Sequence, residues 1–320
     1  MQAIGIDLGG TYIKAALVHK AFGLVKTNSV ETGAQKGKEH VLSQIELAVK
    51  PLMRRRDRIS GVGIGAPGSI DLDRRMLIKP ANMPGWDVVD MRQTLKKRLG
   101  KRLNVYVEND ANAAALGSAR YGAARNYDHF IMVTLGTGVG GAIVFNKRIF
   151  RGSTGAAGEI GHVTINYAGP PDLTGVNGAI EAYLGQRFLV GHAREKLDEF
   201  PDSILHVAPG LDSLTPATIT DAALNGDAGA ISILEWAGKK LGCFLGGMVN
   251  LLDIRTIVIG GGVSKAGDLL LKTARETIPS YIIPGMQDDV VLIQETLGNE
   301  AGMLGAACLV FDQLDDEKQK

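Results

Sequence analysis

The chain has 320 residues, with 35 basic against 34 acidic side chains for a formal charge of +1, 45% hydrophobic and 22% charged residues, and two cysteines, Cys243 and Cys308. At ~150 residues per domain the length points to about two domains, and the composition is that of a globular chain rather than a disordered one. The charge offers no basic excess to draw in a phosphate backbone, which argues against nucleic acid as a partner, and two cysteines build neither a disulfide framework nor a cysteine-based zinc site. Asp7 interrupts the first apolar stretch, where a secretory signal would run on, and no apolar run nears the ~18 residues of a membrane span. A cytoplasmic protein with reduced thiols and no membrane partner is the expectation.

In chain order, residues 3–8 and 13–18 read as strands around the turn Leu8-Gly9-Gly10-Thr11. A helix over 40–53 ends near Pro51, followed by Arg54-Arg55-Arg56, and 59–65 reads as a buried strand. An amphipathic helix over 90–99 carries Lys96-Lys97-Arg98 at its end. Both basic runs read as solvated helix C-termini. A strand over 103–107 precedes Asn109-Asp110, a good N-cap signal before an Ala-rich helix. The second half opens with strands 129–135 and 141–146, then helices near 178–195, 215–224 and 228–250. Strand 255–259, helix 265–276, strand 289–293 and helix 299–313 follow, and the tail DDEKQK is expected to fray. Strands alternating with helices make an α/β protein.

Glycine is in excess, 42 of 320 residues against a typical ~7%. Four clusters follow β-like apolar runs: Gly9-Gly10, Gly63 to Gly68, Gly136 to Gly141, and Gly260-Gly261-Gly262. A strand running into a turn with bare N–H groups is the recurring design of phosphate sites. Residues 136–141 match G-x-G-x-x-G, yet Ala142 to Phe145 reads as a strand where the dinucleotide fingerprint needs a helix. That reading fails, and no G-x-x-x-x-G-K-[ST] loop occurs. The two glycine turns therefore close β-hairpins. Ile4 to Thr11 also aligns with Ile131 to Gly138, the mark of an internal duplication with its boundary in the helix near 110–122.

Taken together, DLGGTYIK (7–14), GIGAPGSID (63–71), ANMPGW (81–86), ENDANAAALG (108–117), TLGTGVGGAIV (134–144) and GAAGEIGH (155–162) resemble the ROK family of sugar kinases and sugar-responsive repressors over nearly the whole chain. The resemblance implies the two-domain actin-like, ribonuclease-H-like ATPase fold with an inter-domain cleft. The expected domains are 1–118 with the returning helix 299–313, and 119–298. The repressor branch carries a helix-turn-helix before the first hairpin; here the hairpin begins at residue 3, so the kinase branch is expected. A homodimer is implied by analogy alone. The family usually places C-x-C-G-x-x-G-C-L-E after EIGH. This chain has Asp172, Thr174 and Ala179 at the three cysteine positions and keeps Gly175, Gly178 and Glu181. No structural zinc is expected.

On this resemblance Asp7 holds hydrated Mg²⁺, and Gly9, Gly10 and Thr11, with Lys14 nearby, present donors to the phosphates of ATP. Thr134, Gly136, Thr137, Gly138 and Gly140 form the opposing clamp, and Gly261 and Gly262 pack near the adenosine. Asp110 is the general base, although its position equally suits helix capping. Gly68, Asn82, Asn109, Asp110, Glu159, His162 and Glu181 bind the sugar. Glucose phosphorylated at its 6-hydroxyl is the first choice. Fructose, mannose, allose or an N-acetylated amino sugar, ADP or polyphosphate as donor, and a non-catalytic sugar-binding regulator are the alternatives.

Overall fold

A computed structural model describes residues 1–53, 59–80 and 83–319, so Arg54 to Arg56 and Asn82 lie outside the described residues. The antiparallel hairpin of β1 (Gln2–Leu8) and β2 (Tyr12–His19) sets Asp7 opposite Lys14. Strand β3 (Gly23–Glu31) pairs with β2, and helix α1 (Lys38–Val49) leads to β4 (Ile59–Ala66), which runs parallel to β1. A small three-stranded sheet, β5 (Ser69–Ile70), β6 (Met76–Ile78) and β7 (Val88–Asp90), precedes α2 (Met91–Leu99), whose N-cap Asp90 accepts the Gln93 N–H. Strand β8 (Asn104–Asn109) joins β4 in parallel and runs straight into α3 (Asp110–Tyr121). The main sheet has the order β3-β2-β1-β4-β8.

The second sheet repeats this plan. The hairpin of β9 (Phe130–Leu135) and β10 (Val139–Phe145) is followed by β11 (Arg148–Ile149). Helices α4 (Glu181–Leu184), α5 (Gln186–Leu197), α6 (Pro216–Leu224) and α7 (Ala228–Leu252) come next. Strand β12 (Thr256–Gly260), α8 (Asp268–Thr277), β13 (Val291–Gln294) and α9 (Ala301–Gln319) close the chain. The order is β11-β10-β9-β12-β13, with β12 parallel to both β9 and β13. The duplication reaches individual residues. Asp7 of β1 stands beside Gly65 of β4, and its counterpart Thr134 of β9 stands beside Gly260 of β12.

By packing, the chain divides into a unit of Met1–Asp128, Ala142–Gly158 and Thr296–Lys320, and a unit of His129–Gly141 and Glu159–Glu295. The first unit thus takes in 119–128 and 142–158 besides the expected 1–118 and 299–313. Its core includes Ile4, Ile6, Leu8, Ile13, Ile45 and Ile64, each fully buried and each stabilising the fold by about 1.5–3 kcal/mol. Helix α9 lies on the sheet because β1 and β4 offer it bare backbone. A Cβ on Gly5 would stand 1.8 Å from the Met303 carbonyl oxygen, and one on Gly63 1.7 Å from that of Ala306. Gly305 meets α3 in the same way, 1.5 Å from the Ala113 oxygen. Part of the glycine excess therefore serves close packing of helices rather than phosphate turns.

Three expectations are corrected. Within the described residues the tail is helical: α9 continues to Gln319, with Asp315 paired to Lys20 at 2.5 Å and Asp316 to Arg148 at 2.6 Å. The basic run ending α2 is not purely solvated, since Arg98 bonds Glu46 at 2.9 Å and also pairs with Glu39. The helix expected over 178–195 is broken at Gly185 into α4 and α5. Among the described residues no helix is long and apolar enough to cross a membrane.

Candidate active site

In the first unit the site grows from the ends of β1 and β8. Asp7, half-buried, lies at the end of β1 on the same face as Lys14. Burial pushes its carboxyl up to about 6, with Lys14 pulling it down and Asp110 adding repulsion. The adjoining turn is held by its own backbone and by Thr32: the Gly9 N–H donates to the Tyr12 oxygen at 3.1 Å and the Thr32 hydroxyl to the Gly9 oxygen at 2.6 Å. Gly10 and Thr11 remain exposed.

At the end of β8 two adjacent residues divide two tasks. Asn109 is the N-cap of α3, its Oδ1 accepting the N–H groups of Ala111 and Asn112, while its Nδ2 donates to the Gly68 oxygen at 3.2 Å. Asp110 is the first helical residue. Burial raises its pKa against the bond from the Ala111 N–H, which lowers it. A Cβ on Gly65 would stand 2.9 Å from the Ala113 Cβ and 3.5 Å from the Asp110 Cα, so the glycine lets the start of α3 close on β4.

Beneath this corner lies Glu108, with a fully buried side chain paired to Arg74 and, at 3.2 Å, to Arg151. It also accepts the Asn109 N–H at 3.0 Å and the Asn112 amide at 3.1 Å. A buried carboxylate is tolerated only with such partners, and here they fix the strand-to-helix corner that carries Asn109 and Asp110. The sequence expectation gives Glu108 no role, since the strand expected over 103–107 stops one residue short of it; β8 runs on to Asn109 and so carries Glu108 within it.

In the second unit, Thr134 and Leu135 lead into the turn 136–138, closed by the Gly136 N–H on the Gly138 oxygen at 3.0 Å. The Gln186 N–H, at the start of α5 just after the break at Gly185, donates to the carbonyls of Gly136 and Thr137, each at 3.1 Å. Gly261, at φ +88°, packs against β9: a Cβ there would be 2.2 Å from the Leu135 oxygen. Gly262 has open space beside it, and Gly140 lies just inside β10.

Glu181 ties this turn to the sugar set expected from the sequence. Its Oε2 accepts the Val139 N–H at 2.9 Å, and a Cβ on Gly138 would meet that oxygen at 2.3 Å. Glu159, exposed, begins the short turn that ends at His162. His162, Asp172 and Glu181 bring their ligating atoms within 4.8 Å of one another.

At the family's three cysteine positions this chain offers a different set of groups. Ala179 has no donor, and Asp172 Oδ1 already accepts from the Thr174 N–H at 2.8 Å, the Thr174 hydroxyl at 2.7 Å and the Val176 N–H at 3.0 Å. Two ligand atoms on a tetrahedral zinc stand ~3.3 Å apart. The His162 Nδ1 and Asp172 Oδ2 are 2.6 Å apart, a hydrogen bond.

A family model described as "ROK family" matches residues 3–313. The chain belongs to the ROK family. A glucokinase of Halalkalibacterium halodurans is 35% identical to this ROK chain over 316 residues, covering 97% of the chain and 95% of the relative. A ROK family glucokinase of Streptomyces griseus, solved with glucose and AMPPNP, superposes with a TM-score of 0.84 at 32% identity, covering 98% of this chain and 100% of that one. The xylose repressor of Bacillus subtilis is 26% identical over 98% of this chain and 78% of its own length. The fold is accordingly the two-domain actin-like ATPase fold of ROK proteins.

Among the ROK positions read from the sequence, the first unit gathers Asp7, Lys14, Gly9, Gly10 and Thr11 on one hairpin and joins Gly68 and Asn109 by a hydrogen bond beside Asp110. The second unit gathers the 134–138 turn, Gly261, His162 and Glu181.

Proposed function

We propose that this ROK protein is a sugar kinase that transfers the terminal phosphoryl group of ATP to the 6-hydroxyl of glucose. The observation that carries the reading is Asp110: a carboxyl made more basic by burial, seated at a helix start whose capping is done by Asn109. Attack by a sugar hydroxyl needs a base to accept its proton, and a raised pKa brings the base closer to the operating pH. Asn109, Glu159, His162 and Glu181 supply polar partners for the remaining hydroxyls, and the wrong epimer leaves one of them unpaired. With the Gly9 and Gly136 N–H groups engaged inside their own turns, Gly10 and Thr11 in the first turn and Thr137 and Gly138 in the second supply the N–H donors to the phosphates.

The nucleotide arrives with Mg²⁺, and the first unit suits that cation. Asp7 is an oxygen donor whose ionisation is opposed by burial and by Asp110, and a hard cation relieves both. When bound, Mg²⁺ neutralises phosphate charge. A carboxyl whose folded pKa lies above its ordinary 3.8, here at about 6, binds its proton more tightly when folded, so stability falls as pH rises from about 4 to 6. Asp7→Asn removes that loss, and at pH 7 the ligand-free variant should be about 1–3 kcal/mol more stable than the parent yet bind Mg·ATP far more weakly. Thermal unfolding with and without Mg·ATP checks both; a variant less stable than the parent would contradict the account of Asp7.

The likeness to a repressor supports a second reading, a sugar-binding regulator that does no chemistry. A coupled assay with Mg·ATP and a panel of hexoses separates the two. The kinase reading expects turnover with glucose exceeding that with fructose, mannose, allose and N-acetylated amino sugars. Binding of a sugar without turnover on any of them favours the regulator.

A further inference from the structure

One carboxylate organises the loop between His162 and Glu181. The Asp172 side chain is fully buried, with three donors on Oδ1 and the His162 ring on Oδ2 at 2.6 Å. The loop closes around it through Ile165 N–H to Gly178 oxygen at 2.8 Å and Ile180 N–H to Val163 oxygen at 3.0 Å. Burial opposes the charge, but the bonds from Thr174, His162 and Val176 outweigh it and hold the carboxyl at about 2. It is therefore an acceptor only. An acceptor facing Nδ1 places the single proton of a neutral imidazole on that nitrogen and leaves the lone pair on Nε2.

We propose that Asp172 is a positioning residue: it orients the His162 ring and holds it in the Nδ1–H tautomer, so that Nε2 accepts a hydrogen bond from a sugar hydroxyl, with no metal taking part. This rests on the reading of His162 as a sugar contact. The His162 side chain is 32% exposed, so the ring is anchored on its Asp172 side and open elsewhere. The two neighbouring groups have separable effects. Thr174 bonds only the oxygen that serves the loop, whereas Oδ2 serves the histidine.

Asp172→Asn is the discriminating variant. The three donors on Oδ1 retain the amide oxygen there, so the loop keeps its shape and the amide NH₂ turns to His162 Nδ1. A donor facing Nδ1 forces the proton to Nε2 and inverts the hydrogen bond offered to the sugar. Glucose affinity, measured by calorimetry without nucleotide, should fall at least about tenfold, ATP affinity should stay within about twofold, and KM for glucose should rise more than kcat falls. The ¹⁵N shifts of the His162 ring should report the Nδ1–H form in the parent and the Nε2–H form in the variant. Thr174→Ala should lower the unfolding temperature and leave the tautomer and glucose affinity at parental values. If Asp172→Asn does not fold, the parental ¹⁵N spectrum and Thr174→Ala decide. The proposal is overturned by an Nε2–H tautomer in the parent, by parental glucose affinity in Asp172→Asn, by a loss of glucose affinity in Thr174→Ala, or by stoichiometric zinc bound to the His162 ring. Failure of the kinase reading would show instead as a parent protein with the Nδ1–H tautomer that turns over no sugar.

Discussion

Replacing Asp110 by Asn should lower kcat for the proposed glucose phosphorylation by at least about 10²-fold while changing KM for glucose much less. General-base assistance is worth ~10²–10⁴-fold, and it acts only as the hydroxyl proton is being lost, so its removal falls on kcat. The substitution is close to isosteric. An Asn oxygen still accepts the Ala111 N–H that Asp110 Oδ1 accepts at 2.8 Å, and Asn109 keeps the cap. Burial disfavours the Asp110 charge, so the neutral amide should leave the unfolding temperature unchanged or raise it. Steady-state kinetics beside a melting curve therefore separates chemistry from folding. Near-normal turnover in a stably folded variant would take Asp110 out of the mechanism and leave it as a residue of the helix start.

Gly138→Val should abolish measurable nucleotide binding and weaken glucose binding in the same variant. The first effect is expected from any side chain crowding a phosphate turn. The second comes from the structure: the new Cβ would lie 2.3 Å from Glu181 Oε2, the atom that accepts the Val139 N–H. Glu181 must swing away, and the Val139 N–H loses its partner, at a cost of about 1–3 kcal/mol for a buried donor. Separate titrations with AMPPNP and with glucose test this, each expected to lose at least about 10²-fold and about tenfold in affinity respectively. Lost nucleotide affinity with unchanged glucose affinity would show that Glu181 has no hold on the sugar.

How far these positions could be read from the sequence depended on whether the signal was local. The duplicated hairpins were legible because each is a buried strand, a glycine turn and a second buried strand, and both sheets then follow the same order. Strand β3 was missed because it is an edge strand whose burial pattern, mostly exposed, gives no apolar alternation to find. The strands of the small sheet, two or three residues each, are too short to show a period. The tail reads as solvent-loving in isolation and becomes helical through Lys20 and Arg148, far away in the chain. At the site, Asp110 was visible beside Asn109, but which of the two caps the helix was decided only by hydrogen-bond geometry. Asp172 marked a missing cysteine in the sequence; its four hydrogen bonds became visible only once the loop closed around it.

The account stands most directly on one measurement, ADP formation by the purified protein with Mg·ATP, in the presence and absence of glucose, with the sugar product followed by ³¹P NMR. It predicts rapid ADP release with glucose, an equal amount of glucose 6-phosphate, and very slow release without sugar. ADP release that glucose does not accelerate, or glucose bound and left unphosphorylated, would contradict it.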